Sequence, residues 1–566
     1  MIKDNYKEIL FLTFIGVISF FFLFKNLGDR YFWDDEAETV LLAKSVAIKG
    51  YPHLNFQGAY DSAETKESLK NPSHLWLWNG WAPLYLTYFS FNLFGENNFT
   101  ARFPFALIAW FTIFASYFLF KKLSNEPLVA KLATIILVFF TPFLLYSRQC
   151  RYYSLVMFTT TLFLIGCLKT LNKENFGKFL YVISGFILFQ SFFAAFYIAF
   201  SSILLYCFTV KKKQFKAILL PSIILIILCL PNFFLQQYWQ RPGNLHFSII
   251  SFLLFFKSYS LWINNFLVSG LLLAGLITLW IHNNFSYKVI FLWITICSYL
   301  FYLLLINSFY SNLVFFIIFS VLVVLIFIAF IKENYILCSC GFIFLNIIFF
   351  SLTAGEFYGR YLAGCIPLGC LITGKAIWEL SGQKKLIVTF LLILIIFSNF
   401  INYLPVQLNK YIVPKSRELP NDFSEIMYGK MLASGFKSYF TGYLTEISKH
   451  YKGPTEITVQ YLNKHSLKND SVLIFFGDLI ILYYTKLKIW RFTDNYTKAP
   501  EWIIWSSWSQ FFPPEKINKL FEENVYQKIE LNTFETVWDD SPDLLYHRFQ
   551  PPVAGNQKIL FRRISK

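Results

Sequence analysis

Asp34, Asp35, Glu36 and Glu38 place four carboxylates within five consecutive residues, just after an apolar run at 9–24. An ionised carboxylate at the mouth of a bilayer is costly unless it is solvated, paired or used. The plainer readings are a solvated loop start, or a helix N-terminus whose dipole favours acidic side chains. Glu38 fits the second. Asp35 lies nearest the centre of the cluster, and general base chemistry requires one positioned carboxylate. Asp34, Asp35 and Glu36 are therefore the candidate catalytic carboxylates.

The elements around them are apolar. The chain is 56% hydrophobic, 21% aromatic and 15% charged, against roughly 25% charged in soluble proteins. Long apolar blocks make the class a polytopic α-helical membrane protein, since a membrane barrel would show short alternating segments. The net charge of +17 sits largely in short connectors, where Lys and Arg set orientation, so nucleic acid is not an expected partner. All nine cysteines lie in or beside apolar blocks, and no extracytoplasmic disulfide framework is expected. Cys338 and Cys340 lack further ligands at metal spacing. No small-residue cleavage site follows 9–24, which reads as an uncleaved first helix.

In chain order, Lys3 and Lys7 place the N-terminus in the cytosol, and the first helix leads into an external loop at about 27–102. Loops of that length are generally functional. Within it, 36–49 predicts an interfacial helix with Val40, Leu41, Ala43, Ala47 and Ile48 on its apolar face, ended by Gly50. The Trp- and His-rich stretch 71–81 suits headgroup depth. Apolar blocks follow at 103–120, 130–145, 155–171, 179–196, 197–210, 219–235, 263–281, 289–306, 313–331, 335–352, 361–380 and 386–403. Lys-bearing and Lys-free connectors alternate between them. The pattern predicts about thirteen transmembrane helices, N-terminus in and C-terminus out, in a membrane module at 1–404. Splitting 179–210 in two sets the parity of everything downstream. Residues 405–566 change composition, with strand-like runs at 471–476, 502–505, 525–531 and 558–562 between helical patterns. They predict a soluble extracytoplasmic α/β domain.

Several motifs carry a resemblance. Trp33-Asp34-Asp35-Glu36-Ala37 resembles the Asp-Glu signature in the first external loop of GT-C glycosyltransferases, nearest the group of protein O-mannosyltransferases and the lipid A aminoarabinose transferase. Ala82-Pro83-Leu84-Tyr85 resembles that group's Pro-Leu-Tyr motif. The segment from Phe94-Gly95 to Ala101-Arg102-Phe103-Pro104 resembles its Phe-Gly…Ala-Arg-Leu-Pro segment. Ser147-Arg148-Gln149-Cys150-Arg151-Tyr152-Tyr153 resembles its second-loop Arg-Glu-Ala-Arg-x-Tyr motif, and Arg360-Tyr361 adds a later match. The likeness spans roughly the first 200 residues, in order.

The resemblance implies an inverting glycosyltransferase of GT-C type. It would move a sugar from a polyprenyl-phosphate donor to an acceptor hydroxyl of a protein, lipid or glycan, on the extracytoplasmic face. Separately, the Lys, Asn and Phe bias of the chain suggests an AT-rich prokaryotic genome and hence an inner membrane. Asp35 would be the base and Glu36 its support. One carboxylate suffices if cations stabilise the departing phosphate. Guanidinium forks match phosphate, so Arg148, Arg151, Arg241 and Arg360 are the expected clamp, with Lys257 as a further candidate. Each could instead pair a loop carboxylate. Trp76, Trp78, Trp81 and Tyr85 are candidate substrate-loop residues, the tryptophans as stacking faces for a sugar. Arg102 could anchor at the interface or pair with the acidic loop. The family's second-loop Glu is Gln149 here, and Trp81-Ala82-Pro83 replaces the aminoarabinose transferase's Lys-Pro-Pro, which argues against lipid A as acceptor.

His53 and His74 lack partners at ligand spacing, so no metal and no other cofactor is expected. A transporter of lipid-linked sugars would instead show ionisable residues and Gly/Pro breaks at mid-membrane, whereas acidity here concentrates outside the helices. A non-catalytic scaffold is the third reading, and an assay of sugar transfer separates the three.

Overall fold

The structure is a computed structural model and describes residues 2–53, 75–209, 211–236, 249–273, 275, 276, 279, 335–354, 357–404, 435–491, 498–506, 514–535 and 541–564. Two compact units emerge. The first comprises Met1–Leu23, Leu107–Ser147 and Tyr152–Thr441; the second comprises Phe24–Ala106, Arg148–Arg151 and Gly442–Lys566.

The first unit is helical. Among the described residues, five helices are long and apolar enough to cross a membrane: Tyr6–Phe24, Asn98–Ser124, Tyr153–Leu171, Lys212–Leu235 and Gly359–Leu380. They mark an integral membrane protein. A sixth span is possible if Pro127–Phe139 and Thr141–Ser147 count as one, bent by 59°. The sequence predicts a single block there. Pro142 explains the break: it has no N–H for the helical ladder and its ring crowds the carbonyl four residues back, at Val138, and the chain turns at Phe140, extended at ψ 107°. The expected pair at 179–196 and 197–210 does divide, but at an extended Phe192 rather than after Phe196, giving Gly177–Ser191 and Phe193–Thr209. The expected spans at 289–306 and 313–331, and part of 263–281, lie outside the described residues.

Close packing in this unit uses small side chains. Ala130 and Ala133 are buried with Tyr117, Phe120, Val129 and Leu371. A Cβ on Gly374 would come within 2.9 Å of the Ala133 backbone nitrogen. Without water to drive association, helices in lipid gain from such backbone approach.

The second unit holds the acidic helix Asp34–Lys49, the helix Ala82–Phe94 and a five-stranded sheet. The strands are β1 (Ser471–Ile474), β2 (Lys488–Arg491), β3 (Trp502–Trp505), β4 (Tyr526–Phe534) and β5 (Gln557–Arg563), in the order β2-β1-β3-β5-β4. β1 runs parallel to β2 and β3, while β5 is antiparallel to β3 and β4. Side chains alternate across a strand. Val472, Ile474 and Ile504 therefore pack with Val459 and Leu462 of the helix Pro454–His465. Leu473 and Ile503 pack on the other face with Leu520 of the helix Pro514–Glu523. Being covered on both sides, β1 is buried at every position, as parallel strands are.

Candidate active site

The acidic helix Asp34–Lys49 begins after an extended Trp33 and stops at Gly50, left-handed at φ 80°, whose N–H donates to the Val46 carbonyl at 2.8 Å. Asp34, Asp35 and Glu36 occupy its first turn, where the dipole favours anions. Successive helical residues point about 100° apart, and the turn separates its carboxylates. Glu36 is fully buried, whereas the Asp35 side chain keeps 22% of its exposure.

Glu36 is held by three hydrogen bonds from two partners. Arg102 grips it with a fork, Nε to Oε1 at 2.8 Å and Nη2 to Oε2 at 2.6 Å. The Cys150 backbone N–H adds a bond to Oε1 at 2.9 Å. Arg102 also donates to the carbonyls of Leu27, Arg30 and Tyr31 at 3.2, 2.9 and 3.2 Å, and its guanidinium faces the Phe32 ring. The guanidinium thus fastens the loop to the acidic helix, and Glu36 fastens both to the 148–151 segment through Cys150. The Cys150 thiol is inert for a plain reason. Burial pushes its pKa well up, and the Glu36 charge beside it does the same.

Asp35 has a different environment. Arg151 approaches it with Nη2 at 3.5 Å from Oδ2. Arg151 Nη1 donates to the Asp35 carbonyl at 2.9 Å, to Glu38 Oε2 at 2.6 Å and to Thr39 Oγ1 at 2.9 Å. Thr39 Oγ1 in turn donates to the Asp35 carbonyl at 3.1 Å. A cation is thereby fixed behind a carboxylate whose outer edge still meets solvent. Asp34, also half-buried, lines an adjoining cavity.

The structure brings Asp34, Asp35, Glu36, Glu38, Arg102, Arg148 and Arg151 into one unit and leaves Lys257 and Arg360 in the other. Arg148 donates to the carbonyls of Lys25 and Asn26 at 2.8 and 3.1 Å. Arg360 sits over the Tyr358 ring at 4.0 Å. Lys257 lies on the helix Ile249–Phe266. Arg241 and His74 lie outside the described residues. In the loop, Trp76 is buried against Leu42 and Leu84, with Trp81 against the same cluster. Trp81 Nε1 donates to the Trp76 carbonyl at 3.0 Å. Tyr85 donates from its hydroxyl to the Gly50 carbonyl at 3.0 Å, and Trp78 is exposed. His53 bridges to Leu75 through backbone pairing. Among the described residues, no three His, Cys, Asp or Glu side chains gather as a metal site would require.

Two contributors carry no local sequence signal. The Tyr484 hydroxyl accepts from the Phe32 N–H at 2.9 Å and donates to Asn98 Oδ1 at 2.8 Å, while its ring stacks on Tyr31 at 4.2 Å. Burial pushes its pKa well up, so it remains a donor. Glu446 joins Arg30 Nη1 at 2.7 Å to His547 Nε2 at 2.6 Å, and His547 Nδ1 lies 2.8 Å from the Ser541 carbonyl. Burial would raise the Glu446 pKa, but the charges of His547 and Arg30 and their hydrogen bonds outweigh it and hold it at about 2. Together these groups tie the loop before the acidic helix to the C-terminal segment.

No family model matches the chain, and no curated protein matches it either. Among solved structures it is similar to ArnT from Cupriavidus metallidurans bound to undecaprenyl phosphate, at 10% identity and TM-score 0.47, with 87% of each chain covered. It is similar to the apo state of the same protein at 10% identity and TM-score 0.47, with 93% of each chain covered.

Proposed function

We propose that the chain is a membrane glycosyltransferase of GT-C type that moves a sugar from a polyprenyl-phosphate donor to an acceptor hydroxyl, with inversion. The observation that carries this reading is the half-open Asp35 carboxylate, backed by Arg151 and set one residue from the sealed Glu36. Asp35 takes the proton of the acceptor hydroxyl as its oxygen attacks the anomeric carbon. The bond from that carbon to the phosphate oxygen breaks, and the polyprenyl phosphate leaves with the electron pair. A general base of this kind contributes on the order of 100- to 10,000-fold. Arg151 holds Asp35 in position, with Nη2 3.5 Å from Oδ2 and Nη1 on its carbonyl. Arg148, Arg241, Arg360, Lys257 and Arg151 itself are the proposed cations for the departing phosphate.

The finer reading is about thirteen spans in a prokaryotic inner membrane, with the N-terminus cytosolic and the C-terminal domain extracytoplasmic. The transferred sugar is a hexose or pentose, mannosyltransferase-like chemistry included, the acceptor is a protein, lipid or glycan, and no metal takes part. The test is transfer by the purified full chain from a panel of polyprenyl-phosphate sugars, read as a mass shift in envelope acceptors. Transfer from at least one donor is expected. No transfer from any, or labelling that places residues 30–40 on the cytosolic side, overturns the reading.

A further inference from the structure

The chemistry proposed above leaves a cavity in the second unit unused. The chain leaves β1 through the short helix Asp478–Tyr484 to make β2, then passes back beyond β1 to make β3. Connections after β1 and β3 diverge, and in such sheets ligands bind outside the carboxyl ends of the strands at that point. A cavity of about 80 Å³ lies there, with Ile474 and Ile504 at the ends of β1 and β3 as its floor. That is room for about six waters, comparable with what one sugar ring displaces. Gly477, left-handed at φ 81°, turns the chain away at the rim.

The lining selects a chemistry. Asp34 and Glu535 supply carboxylate oxygens, and Thr455 and Ser506 supply hydroxyls. Lys558 Nζ lies 3.9 Å from Glu535 Oε1, so the formal balance of the three charged groups is one negative charge. Trp33 and the half-exposed Phe476 add flat apolar faces. Hydroxyl-accepting oxygens beside aromatic faces suit a polyhydroxylated ring, and the surplus negative charge disfavours a phosphate. Asp34 is also the peptide neighbour of Asp35.

We infer that this cavity at the β1/β3 switch point binds an uncharged or amine-bearing sugar ring of the acceptor and presents its hydroxyl towards Asp35. The inference rests on the transferase reading for the word acceptor, and on the cavity alone for sugar binding. The full chain in lipid nanodiscs, probed by saturation-transfer NMR with glucose, glucosamine and glucose 1-phosphate, tests it. Glucose and glucosamine should bind and glucose 1-phosphate should not. Phe476→Ala, at an exposed position, and Thr455→Trp, which fills the cavity, should each weaken binding about ten-fold. Equal binding of all three probes, no binding of any, or sugar binding unchanged in both variants overturns the inference. Measuring transfer in parallel separates the two readings. Sugar binding in a chain that transfers nothing overturns the transferase and leaves the cavity standing. Transfer with an unaltered acceptor KM in both variants does the reverse.

Discussion

Glu36 and Asp35 are adjacent in the chain, yet they occupy opposite physical regimes. Glu36 is sealed with Arg102, and both side chains are almost wholly removed from solvent, at 0% and 5% exposure. Asp35 meets its guanidinium at 3.5 Å with solvent still at its edge. A sealed pair cannot receive a proton from a substrate without breaking bonds that hold the loop together. An open carboxylate with a cation behind it can. The difference teaches that the acidic cluster divides its labour by burial, one carboxylate organising the loop and the next remaining available.

The largest effect should come from breaking the sealed side. Glu36→Ala leaves the Arg102 charge buried without its counter-charge, which costs about 3–5 kcal/mol. The chain should lose much of its folded yield in detergent, measured by thermal melting and size-exclusion recovery. Asp35→Asn acts on the other side. Its volume is kept, its edge meets solvent and Arg151 retains Glu38 and Thr39, so melting should fall by no more than about 1 kcal/mol, well short of the Glu36→Ala loss. Transfer should fall by on the order of 1,000-fold. Full activity in Asp35→Asn, or a melting loss equal to that of Glu36→Ala, would erase the distinction.

Much of this arrangement is legible in the chain because it is local. The carboxylate cluster, the helix ended by Gly50 and the apolar runs that became β1, β3, β4 and β5 all carry their signal within a few residues. β2 does not: Lys488-Ile489-Trp490-Arg491 has charged ends and only two apolar residues, and it forms because β1 offers a parallel edge. Arg102 was readable as a partner for the acidic loop. That it takes Glu36, 66 positions away, and leaves Asp35 to Arg151 is decided by tertiary packing. The Glu446 cluster left no trace at all. Its members lie 416 and 101 positions apart, beyond any periodicity or motif spacing.

Arg151→Lys sharpens the comparison at smaller scale. Lysine keeps the charge but has one nitrogen where arginine uses two, Nη1 on Glu38, Thr39 and the Asp35 carbonyl and Nη2 towards Asp35 Oδ2. If Arg151 positions the base, kcat should fall on the order of 100-fold. If it only balanced charge, the loss would be slight.

The Glu446 cluster offers a pH test outside the acidic helix. Its carboxyl is lowered from an ordinary value of 4.5 to about 2. A depressed carboxylate contributes its stability fully above the unfolded value and loses it as pH falls through the folded one. Melting temperature should therefore hold down to about pH 5 and decline between about 4.5 and 2. Glu446→Gln should make that decline shallower and lower the plateau, with the remainder carried by other lowered carboxyls such as Glu501.

The smallest effect belongs to Lys44 and Glu96. Their ion pair is nearly as short as the sealed one, Nζ lying 2.7 Å from Oε1 against 2.6 Å for Arg102 and Glu36, but the side chains are 28% and 40% exposed. Distance would rank it with Glu36 and Arg102; burial ranks it last. Water already solvates both ends, and holding two long side chains in one geometry costs entropy, so exposed pairs contribute about 0.2–1 kcal/mol. Lys44→Met should shift melting by less than that and leave transfer intact. The shift should shrink further in 0.5 M salt, where the screening length is only about 4 Å. A loss approaching that of Glu36→Ala would mean that separation, rather than removal from water, is what distinguishes the carboxylates of this loop.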